Sequence, residues 1–326
     1  MINKTTKSKI EKLAAQYREL APTHEQILHD IAIAEIPESV YNSNAIENST
    51  LTLKDTEDIL LRDIVRKDRD IREIYEAKNL AKTTEDLLAD TTRPLTIPLI
   101  LGWHNMLLTN INNDYAGRFR SGSEWVRVGS HIGANPAFTA SLMEELVAGY
   151  NTPPAGKKNN HAPSADAWFL DRIAWFHAEF ETIHPFCDGN GRMGRILINQ
   201  QLLRLGYPPI IIQNKSKRID YYPHFDRYRT TGRADGFSAL FALLLCEALH
   251  KRIAYLTSRR IIPLSEWVKT AGLNAPSVLN KAKRQTIPAF RLREKWMIDA
   301  DYSLEKQPLI NHTADKPNNS ESGKTT

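Results

Sequence analysis

His184–Arg195 reads H-P-F-C-D-G-N-G-R-M-G-R, and the rest of the chain is best read outward from it. The segment holds a histidine, a carboxylate, three turn-forming residues and two arginines. Gly189 and Gly191 flank Asn190, and none of the three favours a helix interior. Such a turn presents successive backbone N–H groups, and a nest of that kind at the start of a helix draws anionic oxygens. Residues 192–203 (RMGRILINQQLL) read as that helix. Arg192 and Arg195 then share one face, and two guanidinium forks above an anion nest make a phosphate clamp. Asp188 precedes the nest and is a hard carboxylate of the sort that holds Mg2+ beside phosphates. His184, a little earlier, is the natural acceptor for the proton of an attacking hydroxyl at neutral pH. Singly, each feature is ordinary: a packed histidine, a turn, a solvated pair of arginines. Their crowding into one short segment points to chemistry on a phosphorus-containing group.

Position for position, His184–Arg195 resembles the Fic motif H-P-F-x-D/E-G-N-G-R-x-x-R. The resemblance is to Fic-domain protein adenylyltransferases. It implies a mainly α fold: an all-helical Fic core with a β-hairpin flap. It implies transfer of AMP from ATP to Ser, Thr or Tyr hydroxyls of target proteins, and of the enzyme itself. On that reading His184 is the general base, and Asp188 binds Mg2+ bridging the α- and β-phosphates. Gly189, Asn190 and Gly191 form the anion hole, Arg192 meets the phosphates, and Arg195 meets the γ-phosphate. The family's kinase branch departs from the Gly-Asn-Gly core, which this chain keeps, and that favours adenylyl transfer.

Three further segments fit the resemblance. Ser43–Asn48 (SNAIEN) resembles the family's inhibitory motif S/T-x-x-x-E-G/N, although a Ser and a Glu four apart on a helix are common. By the resemblance Glu47 pairs with Arg195 and takes the cation that the γ-phosphate of ATP needs. In some members the same glutamate also removes AMP from the modified target, and both roles stay open here. Phe119–Phe138 has strand-like residues broken by glycines and reads as a hairpin. It resembles the Fic flap, with Val126, Arg127, Val128 and Gly129 as the residues that clamp a target strand. Lys217–Tyr222 (KRIDYY) is similar to the tyrosine pair near the nucleotide, and Tyr221 is expected there. The asparagine that often follows is here Arg229, so the far wall of the adenine site stays unassigned.

The chain has 326 residues, enough for two domains, and its 41% hydrophobic and 25% charged content is that of an ordinary globular protein. Its two cysteines imply no disulfide framework, and Cys187 reads as filler at the motif's variable position. The start of the chain lacks an apolar signal core. Phe237–Leu249, the most apolar run, is too short to span a bilayer. A cytoplasmic protein without membrane contact is expected. Four regions follow: 1–95, helical, with the inhibitory helix at about 41–50; 96–255, the catalytic core; 260–302, a small winged helix-turn-helix; and 305–326, a polar tail expected to be disordered. Helices are expected over 9–20, 23–34, 41–48, 97–110 and 165–182, with one long heptad-like helix over 54–88. Residues 151–163 read as a loop.

Residues 251–302 hold 11 Lys and Arg against 4 Asp and Glu, an excess of 7 in a chain of net charge +5. Helices over 264–271 and 275–284, capped by Asn274, precede an alternating stretch, Ile287–Ile298, that turns near Arg293-Glu294. Arg284, Arg291, Arg293 and Lys295 are candidates for phosphate contact with DNA, yet winged helices also dock proteins. The partners are therefore ATP, target proteins, a second copy of the chain as in dimeric family members, and DNA through the basic end. The competing reading is a DNA-binding transcriptional regulator that uses the Fic core as a nucleotide sensor, with the toxin of a toxin–antitoxin pair as a lesser variant. A sensor needs no general base, so the intact His184, Asp188 and Arg195 favour the enzyme.

Overall fold

Side-chain caps set where the helices begin. Asn3, Thr52, Asp70, Thr96 and Asn274 each accept a backbone N–H from the first turn that follows them. The computed structural model describes residues 2–153 and 162–304. The expected disordered tail and the middle of the expected 151–163 loop lie outside the described residues. In chain order come α1 (Lys4–Leu20), α2 (Glu25–Ala34), α3 (Ile36–Ile46), α4 (Leu53–Arg62), α5 (Ile71–Ala89) and α6 (Ile97–Leu108). A hairpin of β1 (Arg127–Val128) and β2 (His131–Ile132) follows, then α7 (Thr139–Asn151), α8 (Phe169–Ile183), α9 (Asn190–Arg204), α10 (Tyr222–Thr231) and α11 (Asp235–Thr257). The last unit is β3 (Ile261–Pro263), α12 (Leu264–Thr270), α13 (Ala275–Lys283), β4 (Phe290–Leu292) and β5 (Lys295–Asp299).

The mainly α expectation holds, and several helices differ from their expected extents, most of all the longest. The stretch read as continuous over 54–88 is two helices. Asp63 takes a left-handed backbone (φ 56°) at the end of α4, and Asp70 caps α5. Between them Arg66 and Arg69 fold back onto buried Asp55, at 3.5 and 2.9 Å. A buried carboxylate needs such partners, and the turn that supplies them breaks the helical register. The helix expected over 41–48 begins earlier, at Ile36, with Pro37 in its first turn, where its missing N–H does no harm.

Helix α8 packs against α7, α9, α10 and α11, α1 lies along α11, and α3 rests on α4, α5 and α9. Phe176, Phe180, Phe186, Phe237 and Phe241 fill the interior, each at most 1% exposed. Two junctions matter for the site: the end of α8 where it meets α9, and the end of α3 lying over them.

The C-terminal unit has its own apolar cluster, around Trp267, Val268, Val278, Ile287 and Ile298. Its sheet is antiparallel in the order β3-β5-β4; β3 was not expected from the sequence. Arg293 and Glu294 both have positive φ, as a two-residue primed turn requires. The unit is fastened to the core by charge. Arg291 grips both oxygens of Glu247 on α11, at 2.8 and 2.6 Å. The Arg293 N–H donates to Glu38 on α3 (3.2 Å), its Nε lies 3.1 Å from Glu57 on α4, and Lys215 reaches Glu294 at 2.7 Å. Two of the four groups nominated for phosphate contact, Arg291 and Arg293, are thus engaged with the core. Among the described residues no helix is long and apolar enough to cross a membrane.

Candidate active site

Helix α8 ends at His184, whose φ of 52° turns the chain sharply toward α9. A left-handed backbone at a non-glycine residue is uncommon and needs support from its surroundings. Arg120, 1% exposed, gives that support. Its Nε donates to the His184 carbonyl (2.7 Å), and its Nη2 donates to the carbonyls of Ile183 (3.0 Å) and Ala134. The Ala134 N–H also donates to Ile183, and His131 donates to Thr182 at 2.9 Å. The hairpin is therefore stitched to the histidine's turn. A Cβ at Gly133 would fall 2.8 Å from Arg120 Nη2 and 3.2 Å from His184 Cβ, so this glycine permits the close crossing. Of the four expected flap residues, Arg127 and Val128 form β1, Val126 accepts the Gly133 N–H at 3.1 Å, and Gly129 makes the turn with φ 59°.

The nest follows. Gly189 (φ 79°) begins α9, and the Asn190 side chain closes the turn by accepting from the Phe186 N–H and donating to its carbonyl, both at 2.8 Å. Beneath it His104 stacks on Phe186, donates from Nε2 to the Asp188 carbonyl (3.0 Å) and accepts the Gly117 N–H at Nδ1 (3.1 Å). This pattern uses the neutral ring, and burial drives its pKa down to about 4. His104 thus fixes the backbone on which Asp188 sits, and neither it nor Arg120 lies near the motif in sequence.

The charged groups gather around this turn. Arg192 is 3% exposed, 3.3 Å from Asp188 and 3.4 Å from Glu76, and its Nε and Nη1 are buried without hydrogen-bond partners. Glu181 approaches His184 Nδ1 at 3.6 Å, beyond hydrogen-bond distance. Burial works against the Glu181 charge, but His184, His177 and Arg195 outweigh it and hold the carboxyl below its usual range. Glu181 is one helical turn before His184, a spacing visible in the sequence but not singled out there.

Arg195 is buried, and its partners come from the end of α3, well over a hundred residues away. Nε donates to Ser43 Oγ (2.8 Å); Nη2 donates to the Ser43 carbonyl (2.9 Å) and to Glu47 Oε1 (2.8 Å). Burial opposes the guanidinium charge, and Glu47 more than compensates. A Cβ at Gly191 would fall 2.1 Å from Glu47 Oε1, so the carboxylate lies directly on the nest. Tyr221 is 1% exposed, with its hydroxyl 2.8 Å from His177 Nε2, so it does not line an open surface in this structure. Its neighbour Tyr222 donates to the Ile46 carbonyl at 2.7 Å. Arg229 lies over the Phe225 ring. Cys187 has its thiol pKa raised by burial, consistent with filler.

Among the described residues no three His, Cys, Asp or Glu are grouped to hold a metal. The Asp188 carboxylate, one-third exposed beside the nest, nevertheless suits a hard cation whose other ligands are phosphate and water.

Residues 94–202 match the Fic/DOC family profile. Proteins named protein adenylyltransferase Fic in Drosophila persimilis and Drosophila melanogaster are each 32% identical over 195 residues, which is 59% of this chain but 36% and 37% of theirs. The chain thus spans little more than a third of the length of these relatives. Among solved structures, a Fic domain containing signaling protein from Bacteroides thetaiotaomicron shares the fold with a TM-score of 0.64 at 24% identity, covering 76% of this chain and 96% of that one. A Fic family protein from Desulfovibrio desulfuricans gives 0.58 at 20% identity, over 93% and 98%. The turn built by His184, Gly189, Asn190 and Arg195 thus lies within residues 94–202, the part of this chain that matches the Fic/DOC family profile.

Proposed function

We propose that the chain is a protein adenylyltransferase restrained by its own α3. It would move AMP from ATP to a Ser, Thr or Tyr hydroxyl of target proteins and of itself. The observation that carries this reading is the meeting of a histidine, an anion nest and two buried arginines at one turn, with Glu47 set on the second arginine at 2.8 Å. The likeness to the Drosophila proteins supports the same chemistry.

In the reaction the target hydroxyl oxygen attacks the α-phosphorus and forms a new P–O bond. The bond from that phosphorus to the oxygen bridging the β-phosphate breaks, and its electron pair leaves with pyrophosphate. His184 accepts the hydroxyl proton. The backbone N–H groups of the nest and Arg192 receive phosphate oxygens, matching the unpartnered Arg192 donors. Asp188 would hold Mg2+, which when bound neutralises charge between the α- and β-phosphates. Glu47 occupies the Arg195 donors that the γ-phosphate needs, so ATP would settle out of line for attack. The flap edge at β1 would align the target's backbone by strand addition.

The test compares the chain with Glu47→Gly, using ATP radiolabelled at the α-phosphorus, with and without cell lysate. Label on protein in the Glu47→Gly lanes, missing when the label is at the γ-phosphorus, is the expected result. Equal labelling with Glu47 present and replaced would remove the restraint. No label in any lane would remove the transferase reading. Among the described residues no specific contact favours the DNA-bound regulator.

A further inference from the structure

Both ends of the motif are neutralised from within the chain. At one end Arg195 is met by the carboxylate of Glu47. At the other the Asp188 carboxylate is met by a cation that the motif does not supply. Arg72, in the first turn of α5, donates from Nη2 to Asp188 Oδ2 at 2.5 Å, across 116 residues. The second oxygen, Oδ1, faces Arg192 at 3.3 Å. Glu76 holds the group together, accepting from Arg72 Nε at 3.1 Å and lying 3.4 Å from Arg192 Nη1. The two arginines differ in kind. Arg192 is buried and belongs to the nest; the Arg72 side chain is 54% exposed. An exposed ion pair of this sort is weak, so a divalent cation can displace it, but it must be displaced.

The two internal counter-ions also share a tether. Thr50, just beyond Glu47, donates from its N–H and its hydroxyl to the two oxygens of Glu73, at 2.6 and 2.7 Å. Glu73 is the residue after Arg72. The end of the restraining segment and the turn carrying Arg72 are thus one mechanical unit. Building on the proposed function, we propose that Arg72 is a removable counter-ion for Asp188. It keeps the cation site closed until nucleotide and Mg2+ arrive together, as Glu47 closes the γ-phosphate end. Arg72 is a positioning residue: it acts through Asp188 and touches no reacting atom.

The test measures nucleotide binding, not turnover. ADP binding would be followed by calorimetry while Mg2+ is varied, in a Glu47→Gly parent. Arg72→Gln is expected to lower the half-saturating Mg2+ about two- to fivefold, the range expected for loss of an exposed ion pair. Arg72→Lys, which keeps the charge, should stay near the parent. Asp188→Asn should abolish the Mg2+ dependence whatever residue stands at position 72. An unchanged or higher Mg2+ requirement in Arg72→Gln, with Asp188→Asn still abolishing the dependence, overturns the Arg72 inference and leaves the transferase reading standing. A parent in which ADP binding ignores Mg2+ overturns both.

Discussion

The buried histidines of this protein carry its acid sensitivity, each through its own surroundings. His104, His177 and His250 all have pKa values driven by burial from 6.5 to about 4. The unfolded chain binds these protons below about pH 6.5 and the folded chain does not, so stability is whole above that value and falls as pH drops toward 4. Between about pH 7.5 and about pH 5.5 each should contribute a loss of about 1 kcal/mol. Denaturant titration at the two values should show it, with His104→Asn reducing the slope; a flat profile would mean that these rings protonate in the folded state. The catalytic reading is also tested by single residues. Adding His184→Ala to Glu47→Gly should cut label transfer by about a hundredfold or more, the range for losing a general base; retention of most of the activity would show another group taking the proton. At this scale the sequence was legible where function is contiguous. His184, Asp188, the nest and both motif arginines could be named because they fall within twelve residues. His104, Arg120 and Arg72 could not, because each meets the motif only through the folded backbone.

The element that lies over the site is α3, and its C-terminus is held more firmly than the motif Ser43–Asn48 reveals. Asn48 takes a left-handed backbone (φ 71°) and ends the helix, leaving carbonyls that need donors. Lys217 supplies them, donating to Ala45 (2.7 Å), Ile46 (2.9 Å) and Asn48 Oδ1 (3.0 Å). A cation on a helix C-terminus is favoured by the dipole as well. Tyr222 adds its hydroxyl on Ile46. Tyr221 was expected near the nucleotide; in the fold its hydroxyl lies on His177, and Tyr222 reaches the end of α3. Tyr222→Phe removes one hydrogen bond worth about 1 kcal/mol, so label transfer should rise up to about fivefold with Glu47 in place. In Glu47→Gly the same substitution should change little. A fall of equal size in both backgrounds would place Tyr222 at the nucleotide and not at the latch. The boundaries of α4 and α5 show the limit of periodicity: a heptad-like pattern runs through 54–88, but the tertiary demand of Asp55 for Arg66 and Arg69 breaks the helix there.

Across the whole molecule the C-terminal unit is joined to α3, the proposed restraint. The excess of 7 positive charges over residues 251–302 reads in sequence as a surface for phosphates, since counting charges does not reveal their partners. Glu247, Glu57 and Glu38 lie far from the hairpin in sequence, and in the fold they receive Arg291 and Arg293. The hairpin turn touches α3 through Glu38, α4 through Glu57, and the Lys215–Lys217 segment through Glu294; that segment in turn holds the end of α3. Pulling the hairpin away should therefore loosen Glu47 without touching the site. Arg291 and Glu247 are the pair to break, at 20% and 14% exposure, because a half-buried carboxylate left without its partner is penalised by about 2–3 kcal/mol. Arg291→Ala should speed hydrogen exchange in residues 36–46 and raise label transfer above the parent, while Glu47→Gly with Arg291→Ala should be no more active than Glu47→Gly alone. Arg293→Ala should act in the same direction but weakly, since that side chain is 66% exposed and its pair with Glu57 is screened by salt. If Arg291→Ala frees the C-terminal unit, seen as faster exchange in residues 261–299, yet leaves exchange in α3 unchanged, the unit is only attached to the restraint and does not strengthen it.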